Sequence, residues 1–93
     1  MSELKMPLRK LLSSRTKSLR EKRGLKQRHM AEALRITDRA YNGIEREKYG
    51  LSALTLMFLL EMMTGEERES LIVEFSRMVN NTEGQTPCEL HAK

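Results

Sequence analysis

Side chains that act as nucleophiles, general bases or metal ligands are few in this chain, and they lie far apart. The two histidines, His29 and His91, are distant in the sequence, and Cys88, the only cysteine, has neither a second thiol nor a neighbouring base. The sequence shows no metal-ligand spacing, phosphate-binding loop or nucleophile elbow. We therefore expect no enzymatic activity, no catalytic residue, no metal and no cofactor.

Cationic side chains, by contrast, are concentrated in one half of the chain. The 93 residues carry a formal net charge of +4. Residues 1–50 hold fourteen lysines and arginines against six acidic residues, whereas residues 51–93 hold three against seven. This pattern favours binding of a polyanion by the basic half, with the acidic half turned away from it or in contact with another protein. Solvation of helix surfaces is the alternative explanation for these charges.

The composition favours one all-helical domain. Only four residues are aromatic, and the apolar content is carried by leucine, methionine and alanine, which suit helix packing better than a pleated sheet. A single cysteine forms no internal disulfide, so we expect a reducing, cytoplasmic compartment. The longest apolar run, residues 53–63, contains Thr55 and Glu61 and is too short to span a bilayer. Charges also break up the N-terminal region, so we expect neither a signal peptide nor a membrane segment.

Local sequence signals predict five helices. Pro7 suits the first turn of a helix, and Gly24 suits a left-handed C-terminal cap. Residues suited to N-caps or a capping box precede the third, fourth and fifth helices: Thr37, Ser52, and Thr64 with Glu67. The predicted helices cover about residues 7–23, 27–34, 38–46, 53–63 and 66–80. The polar residues 81–93 are expected to form a flexible tail.

Apolar residues at helical spacing define the expected inward faces. In the second, third and fourth helices these are Met30, Ala31 and Leu34; Ala40, Tyr41 and Ile44; and Leu54, Met57, Phe58 and Leu60. The fifth helix carries a stripe formed by Leu71, Ile72, Phe75, Met78 and Val79. This stripe either closes the core or pairs with a second subunit. The first helix is apolar on one side and basic on the other, which also permits binding to acidic lipid.

The second and third predicted helices are short and separated by about three residues. A link of that length makes them cross at a steep angle, which requires a small residue at the crossing and apolar residues in the shared wedge. Ala31 supplies the small contact. The wedge is expected to contain Met30, Leu34, Ile36, Tyr41 and Ile44.

Four short segments of the chain, taken together with their spacing, carry a resemblance to a known family. They are Ser13-Ser14-Arg15-Thr16-Lys17-Ser18-Leu19-Arg20, Gly24-Leu25-Lys26-Gln27, Met30-Ala31 and Ile44-Glu45-Arg46. Over residues 13–63 the chain thus resembles the Cro/Xre-type helix-turn-helix family, which includes the lambdoid phage repressors. The resemblance implies a five-helix, lambda-repressor-like DNA-binding domain at residues 1–80, with the helix-turn-helix at helices two and three.

The chain departs from the family pattern at four places. Arg35 stands where a glycine usually forms the turn, so it must accept a positive φ or the turn must differ. Tyr41 replaces a common isoleucine or valine. Lys26 stands where a serine or threonine often caps the second helix, and Leu51-Ser52 replaces a proline that often opens the fourth.

The resemblance also implies how the DNA is read, because the third helix of such a unit enters the major groove with its N-terminus first. The residues at the matching exposed positions are the base-reading candidates: Thr37, Asp38, Arg39, Asn42 and Gly43. Arg39 is expected to bond guanine O6 and N7, and Asn42 to contact adenine or a phosphate. Asp38 either accepts from cytosine N4 or serves the helix dipole.

Other positions are expected to hold the DNA backbone or the domain itself. Gln27 begins the second helix, where free backbone N–H groups meet phosphate. Neighbouring cations are expected to add phosphate contacts: Lys26, Arg28, Arg46 and Lys48. Arg20 and Glu45 match two family positions that form an ion pair, which implies that they fix the third helix and do not touch bases.

The sequence therefore predicts a sequence-specific, double-stranded DNA-binding transcriptional regulator. We expect a repressor that acts as a homodimer on a pseudopalindromic operator, with the fifth helix as the candidate interface. A phage-type repressor, a restriction-modification controller and an antitoxin all fit the size. The alternative from another class is a protein-interaction module, including an antitoxin-type partner-binding protein, on a helix-turn-helix scaffold. The affinity of a DNA-reading protein for DNA falls as salt is added and on Arg39→Ala. The affinity of a partner-binding protein for its partner changes with neither.

Overall fold

A computed structural model describes residues 2–83 of the chain, with side chains described for residues 4–81. It contains five helices: α1 (Ser2–Lys22), α2 (Gln27–Leu34), α3 (Asp38–Glu45), α4 (Ala53–Met62) and α5 (Gly65–Glu83). The predicted all-α, five-helix fold is confirmed, and residues 2–83 include no strand. No helix in this part of the chain is long and apolar enough to cross a membrane.

α1 begins five residues earlier than the sequence predicts. Pro7 lies inside the helix as its sixth residue, where it cannot donate the hydrogen bond to the carbonyl of Glu3. Leu4 is half-buried and continues the apolar stripe of Leu8 and Leu12 by one further turn. This packing compensates for the missing hydrogen bond, so the prediction of a start at Pro7 is wrong.

The turn between α2 and α3 is made without glycine. Arg35 adopts the left-handed conformation, with φ 63° and ψ 40°. The N–H of Ile36 donates to the carbonyl of Ala31 at 3.0 Å and that of Arg35 to Glu32 at 3.1 Å, which completes a Schellman-type helix end. The guanidinium of Arg35 lies 4.4 Å from the centre of the Phe58 ring. This cation–π contact offsets part of the strain at a residue with a Cβ.

α4 matches the predicted inward face only in part: Phe58 and Leu60 pack against the core as predicted, but Leu54 and Met57 do not. Leu54 and Met57 are 65% and 61% exposed, whereas Thr55 and Leu59 are buried. Almost every position of this helix is apolar, so hydrophobic periodicity did not specify its rotation. The predicted N-cap is confirmed, because the Ser52 hydroxyl accepts from the N–H of Thr55 at 3.2 Å.

α5 starts at the predicted capping box and continues past the predicted end. The N–H of Glu67 donates to the Thr64 hydroxyl at 3.1 Å, and the N–H of Thr64 donates to the Glu67 carboxylate at 2.8 Å. The helix includes residues 81–83, which were expected to be tail. Asparagine and threonine cost a helix only up to about 0.7 kcal/mol each, so they do not end it. The rest of the predicted tail, residues 84–93, lies outside the described part.

The core lies where all five helices meet. Its buried apolar members are Leu12, Leu19, Met30, Ala31, Leu34, Tyr41, Leu59, Met63 and Leu71. α2 packs against both α3 and α4, and α1 packs against α3 and α5. In α3, Tyr41 and Ile44 are buried as predicted, while Ala40 is only half-buried. The core thus holds α3 by one face and leaves its other face free.

Candidate nucleic-acid interface

The carboxylate of Glu45, at the end of α3, joins three helices. Arg20 of α1 contacts it with two nitrogens, Nε to Oε2 at 2.6 Å and Nη2 to Oε1 at 3.3 Å. Gln27 of α2 donates to Oε1 at 3.0 Å, and the Tyr41 hydroxyl donates to Oε2. The structure therefore brings together Arg20 and Glu45, the two residues that the resemblance pairs. Ser13 of α1 adds a hydrogen bond to the backbone carbonyl of Glu45 at 3.1 Å.

Opposing effects set the protonation of this cluster. Burial alone raises the pKa of the Glu45 carboxyl, but the hydrogen bonds from Arg20, Tyr41 and Gln27 outweigh it, and the net pKa lies below its ordinary value. Burial and the hydrogen bond to Glu45 raise the pKa of Tyr41. The hydrogen bond to Glu45 likewise raises the pKa of Arg20. At neutral pH the cluster is therefore an ionised pair with a neutral phenol, which fixes the C-terminal end of α3.

A second polar link fixes α3 against α2. The Asn42 amide donates to Gln27 Oε1 at 3.3 Å, while Gln27 donates through Nε2 to Glu45. The Gln27 side chain thus bridges the two helices. Its backbone N–H, at the first position of α2, has no partner inside the helix and stays available to a phosphate.

The N-terminal part of α3 faces solvent. Thr37 caps the helix through a 3.0 Å hydrogen bond from the N–H of Ala40, and Asp38 follows in the first turn. Thr37, Asp38 and Arg39 are all exposed, and Asn42 is half-buried. Arg39 forms no hydrogen bond or ion pair with the part of the chain that the structure describes. An anchored helix with a free arginine near its N-terminus has the form of a recognition helix.

Comparison with known proteins agrees with this geometry. A family model described as helix-turn-helix matches residues 17–64, which include α2, the turn, α3 and α4. The chain belongs to the Cro/Xre-type helix-turn-helix family. Members of this family are DNA-binding regulators and are generally not enzymes. Searches of curated proteins and of solved structures find no significant match.

One base-reading candidate of this helix-turn-helix is not placed as expected. Gly43 is buried, so the prediction that it lies on the exposed face is wrong. The ring of Tyr49, which follows α3 in the loop, lies directly over Gly43, and a Cβ there would overlap with the ring. Glycine at this position allows the loop to pack closely on α3.

The predicted phosphate contacts surround the helix-turn-helix. Lys26, Arg28, Arg46 and Lys48 are exposed, and Gln27 is half-buried. Arg46 and Lys48 border a shallow depression of about 130 Å³, together with Arg39 and Tyr49. The cations that follow α3 and the arginine on α3 therefore share one concave surface. In the described part of the chain no three His, Cys, Asp or Glu residues lie close enough to hold a metal.

Sequence reasoning missed three contacts of this interface. It treated Tyr41 as an apolar replacement, although its hydroxyl bonds Glu45 four positions later, on the same helix face. It gave no role to Tyr49, whose position depends on the fold of the loop. It also missed Arg9 of α1, which reaches the carbonyl of Lys48 at 3.4 Å. The spacing of Tyr41 and Glu45 in the sequence could have predicted their contact, whereas the loop contacts of Tyr49 and Arg9 could not have been predicted.

Proposed function

We propose that this helix-turn-helix protein is a sequence-specific transcriptional repressor that binds double-stranded DNA as a homodimer in the cytoplasm. The observation that carries the proposal is the exposed N-terminal half of α3, on a helix whose C-terminal end is anchored by the contacts of Glu45 with Arg20, Gln27 and Tyr41. A rigid reading helix positions its side chains before DNA binds, so little ordering cost remains.

The exposed residues of α3 give the reading surface its chemistry. Arg39 presents a planar guanidinium that can bond guanine O6 and N7 together, and such a pair discriminates by about 1–3 kcal/mol. Asn42 faces adenine or a phosphate from the next turn, while Thr37 and Asp38 lie at the entry to the groove. Because Asp38 also lies at a helix N-terminus, its carboxylate stabilises α3 in the absence of DNA.

Backbone contacts fix the register of the reading helix. The N-terminus of α2 offers the free N–H groups of Gln27 and its neighbours, and Lys26 and Arg28 flank it. Arg46 and Lys48 take the corresponding place after α3. Contacts on both sides of the groove orient the protein on the duplex without reading sequence.

The apolar surface supports the homodimer. Leu71, one of the interface candidates, is 4% exposed and closes the core of the subunit, whereas Ile72 is 57% exposed. Phe75, Met78 and Val79 are half-buried. A cavity of about 250 Å³ between α1, α4 and α5 is lined only by apolar side chains, including Leu8, Leu60, Ile72 and Phe75. A second copy placed against Ile72 and Phe75 would cover this surface.

The test is selection of bound duplexes from a randomised double-stranded pool at near-physiological salt, followed by sequencing. We expect an inverted repeat whose half-sites are about one helical turn apart. Retention without a motif, which disappears as the salt concentration rises, would leave only nonspecific attraction and contradict the proposal.

A second candidate function has one observation in its favour. Leu54 and Met57 of α4 are more than half exposed, although both are apolar. Such residues fit a protein-interaction module or an antitoxin-type protein that binds a partner through α4. A partner-binder of this kind keeps its affinity for that protein on Arg39→Ala, whereas a DNA reader loses its affinity for DNA.

A further inference from the structure

Arg9 is a cation of α1 that has no acidic partner in the described part of the chain. Its half-buried side chain reaches the loop between α3 and α4, where Nη1 donates to the carbonyl of Lys48 at 3.4 Å. Its Nε is shielded from solvent and has no hydrogen-bond partner there. Arg20 on the same helix and Arg23 in the turn that follows it are paired with Glu45 and Glu67. The charge of Arg9 is thus held in place and left uncompensated.

The position of Arg9 extends the basic surface of the recognition helix. On one side of the loop, Arg39, Arg46 and Lys48 border the depression of about 130 Å³. On the other side, Lys5, Arg9 and Gly50 border a second depression of about 200 Å³. A single residue, Tyr49, separates Lys48 from Gly50 in the chain. Two depressions joined by the contact of Arg9 with Lys48 thus hold five cations, which we call the basic strip: Arg39, Arg46, Lys48, Arg9 and Lys5.

We infer that Arg9 and Lys5 bind phosphate groups of the DNA strand that borders the groove entered by α3. The inference rests on the proposed function, and it extends the DNA contact onto the N-terminal part of α1. Both residues precede the segment 17–64 that the family model matches.

The chemistry of the strip fits a nucleic-acid backbone. A duplex presents one negative charge per about 1.7 Å of its axis, so a surface beside the groove meets a phosphate at every nucleotide of the strand that borders it. A guanidinium offers five N–H donors in a fork that matches two phosphate oxygens. The carbonyl of Lys48 uses only one of these donors in Arg9. A phosphate would satisfy further donors and neutralise the charge.

Salt-dependent binding of the full-length protein to a labelled random-sequence duplex tests the inference. Arg9→Gln and Lys5→Gln are measured singly and together. Arg77→Gln is the matched control, because it removes the same charge from α5. Lys5 is exposed and forms no hydrogen bond in the described part of the chain, so Lys5→Gln tests charge without disturbing the fold. Thermal melting of each variant checks that it is folded.

Each lost phosphate contact reduces the slope of log affinity against log salt by about 0.9. We expect that reduction for each single variant and about twice as much for the double variant, with Arg77→Gln unchanged. Slopes of Arg9→Gln and Lys5→Gln equal to the control would overturn the inference and leave the proposed function standing. Wild-type protein without salt-dependent duplex binding would overturn both. Binding of the same variants to phosphatidylserine vesicles is measured in parallel. If Arg9→Gln and Lys5→Gln bind the duplex as the wild type does but no longer bind the vesicles, the strip binds lipid and the inference is overturned.

Discussion

The carboxylate of Glu45 anchors α3 to α1 and α2. Its side chain is 5% exposed and that of Arg20 is 16% exposed, so the pair lies largely out of water. A charge left there without its partner is costly, because burial removes its hydration while the neighbouring groups remain arranged for an ion. The stability of the domain and the position of α3 therefore depend on the same contact.

Arg20→Ala is expected to lower the free energy of unfolding by about 3 kcal/mol and to weaken DNA binding. Arg77→Ala is the control, since its pair with Glu74 is exposed and contributes only a few tenths of a kcal/mol. Urea denaturation of both variants gives the comparison. If Arg20→Ala unfolds at the wild-type urea concentration, the anchoring role of the pair is wrong.

Glu67 connects two helices as well as capping one. Its carboxylate accepts from the N–H of Thr64, which caps α5, and pairs with Lys22, the last residue of α1, at 3.1 Å and with Arg23 in the following turn at 2.9 Å. The hydrogen bond from Arg23, followed by those from Thr64 and Lys22, lowers the pKa of Glu67 from 4.5 to about 2. As the pH falls below about 4.5, the unfolded chain takes up this proton first. The contribution of Glu67 to stability is therefore present above pH 4.5 and lost towards pH 2.

Glu67→Gln should be less stable than the wild type at neutral pH, and the difference should vanish by about pH 2. Glutamine still accepts the capping hydrogen bond, so the comparison isolates the charge. Glu69→Gln, a change at an exposed neighbour on α5, should show no such pH-dependent difference. Denaturant unfolding at several pH values measures both, and a constant difference for Glu67→Gln between pH 7 and pH 2 would exclude the ionic contribution.

The helices differ in how far their sequences determined them. Three helix starts were predicted correctly from Thr37, Ser52 and Thr64, because a capping side chain bonds backbone groups within three residues of it. The rotation of α4 was not predictable, since this helix has apolar residues on all sides and only its packing against the other helices selects the buried face. Gly43 was wrongly predicted to be exposed for a similar reason, because the ring that buries it, that of Tyr49, belongs to a loop.

The charge distribution of the whole molecule agrees with one DNA-facing side. The basic strip and the α2 N-terminus lie in the first half of the chain, whereas α5 carries Glu66, Glu67, Glu69 and Glu74. This asymmetry was visible in the sequence. What the sequence left open was whether α5 closes the core or pairs with a second copy. The structure shows that Leu71 closes the core while Ile72 remains available.

Ile72→Asp is expected to convert the proposed dimer to a monomer, because an unpaired carboxylate in an apolar interface costs several kcal/mol. Leu54→Asp is the control, since Leu54 is similarly exposed but lies on α4. Sedimentation equilibrium distinguishes the two species. Dissociation by Leu54→Asp and not by Ile72→Asp would place the interface away from α5.

The most direct test of the central claim, that α3 reads DNA sequence, is duplex selection with the wild type and Arg39→Ala in parallel. Arg39 is exposed, so the variant should fold normally and retain most of its phosphate contacts. We predict that the wild type recovers an inverted repeat and that Arg39→Ala loses the preference for guanine at one position of each half-site, a loss of about 1–3 kcal/mol. The same base preferences in both proteins would contradict the assignment of Arg39 and of α3 as the reading helix.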